Sequence, residues 1–169
     1  MMGITLSDEL HRHLRKEMII NFVINIAANG TIAWFAFAAS QRVAMWGEHS
    51  FGPDLALTAF FLCWIIGAIF VAVHRSKASK GKMAPLAIAV PDWLPRNSLL
   101  MGLLFGVAGL LLFYPLTLGV LWVLGLGEIE LLAFCIFKGV WAGVLACLVI
   151  PPATIFGLAT ATGAEPAIS

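Results

Sequence analysis

Four long apolar stretches constrain the fold of this chain more than any other feature of its sequence. They cover residues 18–40, 55–73, 98–124 and 131–150. A helix needs about 20 predominantly apolar residues to cross the hydrocarbon core of a bilayer, and each stretch has about that length. The sequence therefore predicts an all-α integral membrane protein with four transmembrane helices, forming a single four-span domain over residues 1–169.

Composition agrees with this class of protein. Of the 169 residues, 61% are hydrophobic and 11% are charged, whereas soluble domains average about 45–50% apolar and about 25% charged residues. The formal net charge of +1 gives no reason to expect nucleic acid as a partner. The three cysteines fall in apolar runs without a CxxC pair, which favours small buried residues over a zinc site or a disulfide framework.

Prolines interrupt the third span and follow the fourth. Pro115 lies within the third span, which is long enough to tilt. Pro151 and Pro152 follow the fourth span, and the apolar pattern continues beyond them to about Thr162. Because proline lacks the N–H group that a helix uses, the proline pair predicts a kink or a break there.

Basic residues predict the orientation of the spans. Three precede the first span and five lie between the second and third spans: Arg12, Arg15, Lys16, Arg75, Lys77, Lys80, Lys82 and Arg96. The opposite side has only Arg42, and Lys138 falls within the fourth span. Because basic loops stay in the cytoplasm, both termini and the middle loop are expected there, in a bacterial inner membrane. A secretory signal is the competing interpretation of the first span, but the apolar run is too long and too rich in asparagine.

Two segments outside the spans are expected to lie along the inner membrane surface. Before the first span, Thr5 or Ser7 can cap a short interfacial helix with a narrow apolar stripe. In the middle loop, a basic stretch suited to anionic lipid headgroups precedes residues 83–97, which are apolar and contain three prolines. Trp93 is the expected interfacial anchor of that segment, and docking on a partner subunit is the alternative.

A faint internal repeat relates the two halves of the sequence. Shifting the first half by 76 residues aligns Gly30 with Gly106 and Gly67 with Gly143. A tandem duplication of a two-helix hairpin is therefore a hypothesis. Its two copies would be related by an axis along the membrane normal.

Three asparagines, Asn21, Asn25 and Asn29, recur every four residues in the first span. Four residues turn a helix by about 400°, so the three share one face, from the cytoplasmic boundary to about mid-membrane. A carboxamide facing lipid would lack hydrogen-bond partners, so this face must contact protein or water. Two interpretations stay open: the asparagines join neighbouring helices, or they line a half-depth pocket open to the cytoplasm.

Lys138 is the one formal charge deep within a span, roughly 10 Å below the outer boundary. Intramembrane ionisable residues face the protein interior and are candidates for function. The alternative is that the lysine extends toward Glu128, Glu130 or Asp54 at the outer surface. Tyr114 of the third span falls at a similar depth and could form a hydrogen bond near Lys138.

GxxxG patterns occur in the third span, at Gly102 and Gly106, and in the fourth, at Gly139 and Gly143. Small residues at this spacing let helices approach closely. Contact between the third and fourth spans, or between copies of the chain, is therefore expected. A homo-oligomer with two-fold symmetry is the default assembly, and a partner membrane subunit is the alternative.

No motif for nucleotide binding, nucleophilic catalysis or metal-dependent hydrolysis is present. His11 and His13 lie on different faces of a helix, which favours solvated side chains over a metal pair. We therefore expect no enzymatic activity, no cofactor and no metal site.

Two functions fit these features. The leading hypothesis is a small transporter or channel-like protein for an anion or a polar solute. The asparagines would line the inner half of its path, and Lys138 and Tyr114 would mark the outer half. The alternative is a non-catalytic accessory or assembly subunit of a larger membrane complex.

Overall fold

The computed structural model describes residues 8–163, with side chains described for residues 8–161, and it is 75% helical. Within this range, four helical spans are long and apolar enough to cross a membrane. The prediction of a multi-pass helical protein is therefore confirmed. The expected capping residues Thr5 and Ser7 lie outside the described residues.

Five α-helices build the four spans. The first two spans are α1 (Asp8–Phe37) and α2 (Phe51–Ser79). The third combines α3 (Ser98–Ala108) with α4 (Tyr114–Val123), and the fourth is α5 (Leu131–Ala159). A 3-10 turn over Thr160–Gly163 follows α5 and ends the described part of the chain.

A π-helical segment, Gly109–Phe113, joins α3 to α4 directly before Pro115. Proline cannot donate the backbone hydrogen bond that an α-helix requires at this point. The wider π turn changes the hydrogen-bond register there, so the span continues without a break. The predicted interruption at Pro115 is thus a local change of helix type.

The two expectations about helix ends had different outcomes. Within the described residues no separate surface helix precedes the first span, because residues 8–37 form one uninterrupted helix whose Leu10 and Leu14 are buried against the other helices. Neither glycine nor proline lies between residues 8 and 29 to break that helix. The expected extension of the fourth span beyond Pro151 and Pro152 is confirmed, because α5 continues to Ala159 and a 3-10 turn follows it, so the helix does not break at the prolines.

A short antiparallel ladder joins the two loops on one side of the helices. Strand β1 (Arg42–Ala44) pairs with β2 (Glu128–Glu130), and Arg42 lies opposite Glu130 in the register. The guanidinium of Arg42 also lies 3.7 Å from the carboxylate of Glu128. We call this end of the molecule the strand side, and the end where α1 begins and α2 ends the basic side.

The central helices α2 and α5 run side by side in the same direction. Asp54 meets Lys138 near their first residues, and Arg75 meets Thr160 near their last. α1 packs along α5, whereas α3 packs along α2, each in the antiparallel sense. The extensive contacts of α1 are thus with the last helix of the chain and not with α2, which follows it in sequence.

Glycines bring α3 close to α2. A Cβ atom added at Gly102 would lie 2.6 Å from the backbone oxygen of Trp64, and one at Gly106 would lie 2.9 Å from that of Phe60. The expected contact of this pair with the fourth span was wrong. A GxxxG pattern identifies a face that permits close approach, but it carries no information about which helix approaches.

Glycines of α5 face α1 in the same way. A Cβ atom at Gly139 would lie 2.7 Å from the backbone oxygen of Ile26, and one at Gly143 would lie 2.7 Å from the ring of Phe22. The partner of this pair is therefore the first span, not the third as expected. Both glycine pairs lie at helix interfaces within one chain.

On the basic side, hydrogen bonds join the end of α2 to the end of α5 and to the loop before α3. Arg75 at the end of α2 donates to the hydroxyl of Thr160 and to the backbone oxygen of Arg96. Residues 83–97 form no helix or strand, and four of their apolar side chains pack against the buried cluster at this side: Met83, Leu86, Val90 and Leu94. Trp93 is 77% exposed, which leaves it available for the interfacial role expected from the sequence.

Candidate functional site

The strongest candidate for a functional group inside the spans is the ion pair between Lys138 of α5 and Asp54 of α2. Nζ of Lys138 lies 2.7 Å from both carboxylate oxygens and donates a hydrogen bond to Oδ1. The lysine side chain is 1% exposed, and the carboxylate side chain is 21% exposed. The pair is therefore enclosed by protein, with the carboxylate nearer the surface.

The start of α2 explains how Asp54 comes to face the lysine. Ser50 occupies the N-cap position of this helix, and Asp54 lies in its first turn. A carboxylate in the first turn is stabilised by the helix dipole and points along the helix surface. Since α2 and α5 run in parallel, that surface meets Lys138.

The ion pair also separates two buried apolar clusters. On the strand side, the cluster includes Phe51, Leu55 and Phe134. On the basic side, a larger cluster begins at Ala59 of α2 and Leu145 of α5. Lys138 thus replaces an apolar side chain at the junction, and its charge is neutralised there. A lysine bound to a carboxylate offers little net attraction to a passing anion.

Tyr114 does not join this site. Within the described residues, no hydrogen bond connects it with Lys138, and its half-buried ring packs against both apolar clusters. The polar contact between α4 and α5 is made by Trp141, whose indole N–H donates to the hydroxyl of Thr117 at 2.9 Å.

The asparagine stripe lies along the side of α1 that faces α5. Asn25 and Asn29 are buried, and Asn21 is half-buried. Each carboxamide donates to the backbone oxygen one turn earlier, which for Asn21 is that of Glu17 at 2.9 Å. Asn29 also donates to the side-chain oxygen of Asn25 at 3.2 Å. The stripe therefore satisfies its donors mainly within its own helix.

The five best-defined cavities of the described structure lie away from the stripe. Five surface cavities have volumes of 330 to 510 Å³. Among the described side chains that line these five, none belongs to the stripe, to Tyr114 or to the Lys138–Asp54 pair. The hydrogen bonds given for the stripe also stay within α1, so among the described contacts the asparagines neither join a neighbouring helix by hydrogen bonds nor line one of these cavities.

A second polar site, absent from the sequence expectations, joins α1 to α2 near the basic side. The Nε2 atoms of His13 and His74 lie 3.0 Å apart. Nδ1 of His74 lies 2.9 Å from the backbone oxygen of Phe70, and since a carbonyl can only accept, this nitrogen carries a proton. Nε2 of neutral His74 is therefore the acceptor, and His13 donates to it.

His13 differs from what the sequence suggested, and its partner His74 had no predicted role. His13 is half-buried rather than solvated, and His74 is 1% exposed. They lie 61 residues apart in the chain, so no local spacing could have indicated the pair. The carboxylate of Glu17, 3.9 Å from His13, is the nearest acid. Within the part of the chain that the structure describes, no three His, Cys, Asp or Glu side chains are placed to hold a metal ion.

Acidification is expected to loosen the contact between α1 and α2. A proton added at Nδ1 of His13 preserves the bond, but a further proton on Nε2 of His74 makes two N–H groups face each other. Burial is the largest effect and disfavours positive charge on both rings; Lys77 also opposes it on both and Lys16 on His13, whereas Glu17 favours it. Losing the bond should speed amide hydrogen exchange around residue 13 by about two- to tenfold, after correction for intrinsic rates.

The measurement compares exchange at about pH 7.5 and about pH 4.5, with the acidic arm placed well below the usual titration of histidine because burial and Lys77 disfavour protonation of both rings. The variant His13→Gln offers an N–H donor to neutral His74 and, when its amide flips, an oxygen acceptor to protonated His74, so it should lose the pH dependence. His11→Gln changes an exposed histidine on a different face of the same helix and should retain the pH dependence. Equal protection of wild-type α1 at both pH values would contradict the prediction.

Comparison with protein-family models, with curated proteins and with solved structures found no match to this chain.

Proposed function

We propose that this chain is a non-catalytic accessory subunit, which binds a larger membrane protein through the exposed face of α1. The observation that carries the proposal is a polar group on that face without a partner. Thr31 is exposed in the last third of α1, and its hydroxyl has no hydrogen-bond partner among the described residues.

The surroundings of Thr31 suit a second helix. Ala27 lies one turn earlier on the same face and is also exposed. Small residues four apart let a neighbouring backbone approach closely, and threonine hydroxyls form hydrogen bonds between membrane helices. A lipid tail offers neither a donor nor an acceptor, so a protein helix is the better occupant of this face.

The groups that a transport path would need are engaged elsewhere. The asparagines donate to their own helix, and Lys138 is neutralised by Asp54. None of the five described cavities reaches these residues. Transport by a single copy of this fold therefore has less support than assembly, which reverses the order expected from the sequence.

The proposed setting is a bacterial inner membrane with the basic side in the cytoplasm, in keeping with the distribution of lysine and arginine. The hypothesis of tandem hairpins also gains support from the packing. In such a repeat, α1 corresponds to α3 and α2 corresponds to α5, and the α1–α5 interface then corresponds to the α3–α2 interface. Both interfaces are antiparallel and both contain close glycine contacts.

Native mass measurement tests the proposal. The full chain, expressed at its natural level and extracted in a mild detergent, should run in a complex of fixed stoichiometry with a second membrane protein. The double variant Ala27→Leu/Thr31→Leu adds bulk to the exposed face of α1 and should release the chain as a monomer. Ala133→Leu adds a leucine to an exposed position of α5 and should leave the complex intact.

Two outcomes contradict the proposal. A wild-type chain that runs as a monomer has no partner to assist. A complex made only of copies of this chain would instead favour the oligomeric transporter, which solute flux in reconstituted vesicles would then test. Equal dissociation by Ala133→Leu would show that the α1 face has no special role.

A further inference from the structure

A cavity of about 430 Å³ opens on the basic side, away from the proposed assembly face. Four segments form it: the start of α1, the end of α2, the turn that follows α2, and the end of α5. Its apolar wall includes Leu86 and Leu158, whose backbones are joined by a 3.4 Å hydrogen bond. The cavity is thus a product of the tertiary fold rather than of one local loop.

The turn after α2 brings two lysines to the same cavity. Lys82 N–H donates to the oxygen of Lys77 at 2.9 Å, and Gly81 N–H donates to that of Ala78 at 3.0 Å. These two bonds, with Gly81 at φ 66°, form a Schellman turn that reverses the chain. Lys77 and Lys82 therefore both line the cavity although five residues separate them.

Charge at this cavity is not balanced. Neither Lys77 nor Lys82 forms an ion pair with any described residue, and among the described residues of the lining Glu9 is the only acid. Two ammonium groups against one carboxylate leave one positive charge in excess. His13 also lines the cavity and adds a second positive charge when it is protonated at Nδ1, without losing its bond to His74.

We propose that this cavity binds a phosphate-bearing anion. Lysine binds phosphate as a point charge, and two unpaired lysines beside a histidine supply the donors. The volume exceeds what a single-atom anion needs, and the apolar wall suits a group attached to the phosphate. The ligand is either the headgroup of an anionic phospholipid or a phosphate free in solution, because both present the same chemistry. The inference does not depend on the proposed assembly role.

The test uses the full chain, delipidated in a phosphate-free maltoside detergent. Inorganic phosphate and a short-chain phosphatidylglycerol below its micellar concentration are titrated separately by calorimetry. At least one should bind with one-to-one stoichiometry. Phosphate binding identifies a soluble anion, whereas binding of the lipid alone identifies the headgroup. Lys77→Gln/Lys82→Gln should weaken the affinity by about tenfold or more, because each lysine near an anionic surface contributes substantially.

Lys80→Gln is the matched control, because it removes the same charge from the same turn but does not line the cavity. It should change the affinity by less than about twofold. Lys77→Arg/Lys82→Arg keeps both charges and should restore most of the binding. The absence of binding by either probe would overturn the proposal, as would an equal loss in Lys80→Gln. Unchanged thermal unfolding of each variant separates lost binding from lost fold.

Discussion

Replacing Asp54 by asparagine should destabilise the fold by about 3–5 kcal/mol, the usual cost of removing one partner from a buried ion pair. The lysine that remains is 1% exposed, and among the described side chains Asp54 is its only ion-pair partner. It cannot recover its hydration without opening the contact between α2 and α5. Unfolding by titration with SDS in mixed micelles, followed by circular dichroism, measures the change.

The double variant Asp54→Leu/Lys138→Met tests whether the loss of stability comes from the unpaired lysine. Removing both charges leaves no unpaired group, so it should recover most of the stability lost in Asp54→Asn. Arg42→Gln supplies the control for an exposed pair, since Arg42 and Glu128 are each more than half exposed. That control should change stability by less than about 1 kcal/mol. If Asp54→Asn costs no more than Arg42→Gln, the buried pair contributes nothing to the fold.

The spans were predictable because they depend on a local property. About 20 apolar residues in a row give the same result wherever their neighbours lie. The end of α2 is an example: an apolar run passes into basic residues at Arg75, and the helix ends a few residues later at Ser79. Proline was harder to interpret. The sequence shows that proline lacks an N–H group. Whether the helix then breaks, kinks or forms a π turn depends on the surrounding helices.

The polar sites were only partly predictable, because each depends on a partner distant in sequence. Lys138 stood out as an intramembrane charge, and the sequence offered three carboxylates without a means to choose among them. In the structure, the parallel packing of α2 and α5 places Asp54 rather than either glutamate next to Lys138. The histidine pair gave no signal, since two histidines 61 residues apart carry no common pattern. The asparagines shared a face as expected, but only the structure shows that their donors turn back to their own helix.

Gly139→Ala should weaken the contact between α1 and α5 by about 1–3 kcal/mol, the usual range for overpacking a close interface. The added methyl would lie 2.7 Å from the backbone oxygen of Ile26, so one helix must move as a whole. Gly143→Ala should cost less, because its nearest obstacle is the ring of Phe22, which can rotate. SDS titration of each variant gives the free energy of unfolding.

Gly119→Ala is the matched control for the intrinsic effect of the substitution. Gly119 lies in α4 with no atom within 4 Å of an added Cβ, so alanine there adds helix propensity without a clash. A stabilisation of roughly 0.5–1 kcal/mol is expected. The difference between Gly139→Ala and this control isolates the steric cost at Ile26. If the two variants unfold alike, α1 and α5 do not approach as closely as the backbone contact requires. The loss of stability should therefore be largest for Gly139→Ala, smaller for Gly143→Ala and absent for Gly119→Ala. This order measures how strongly the packing of α1 against α5 depends on their close backbone contact.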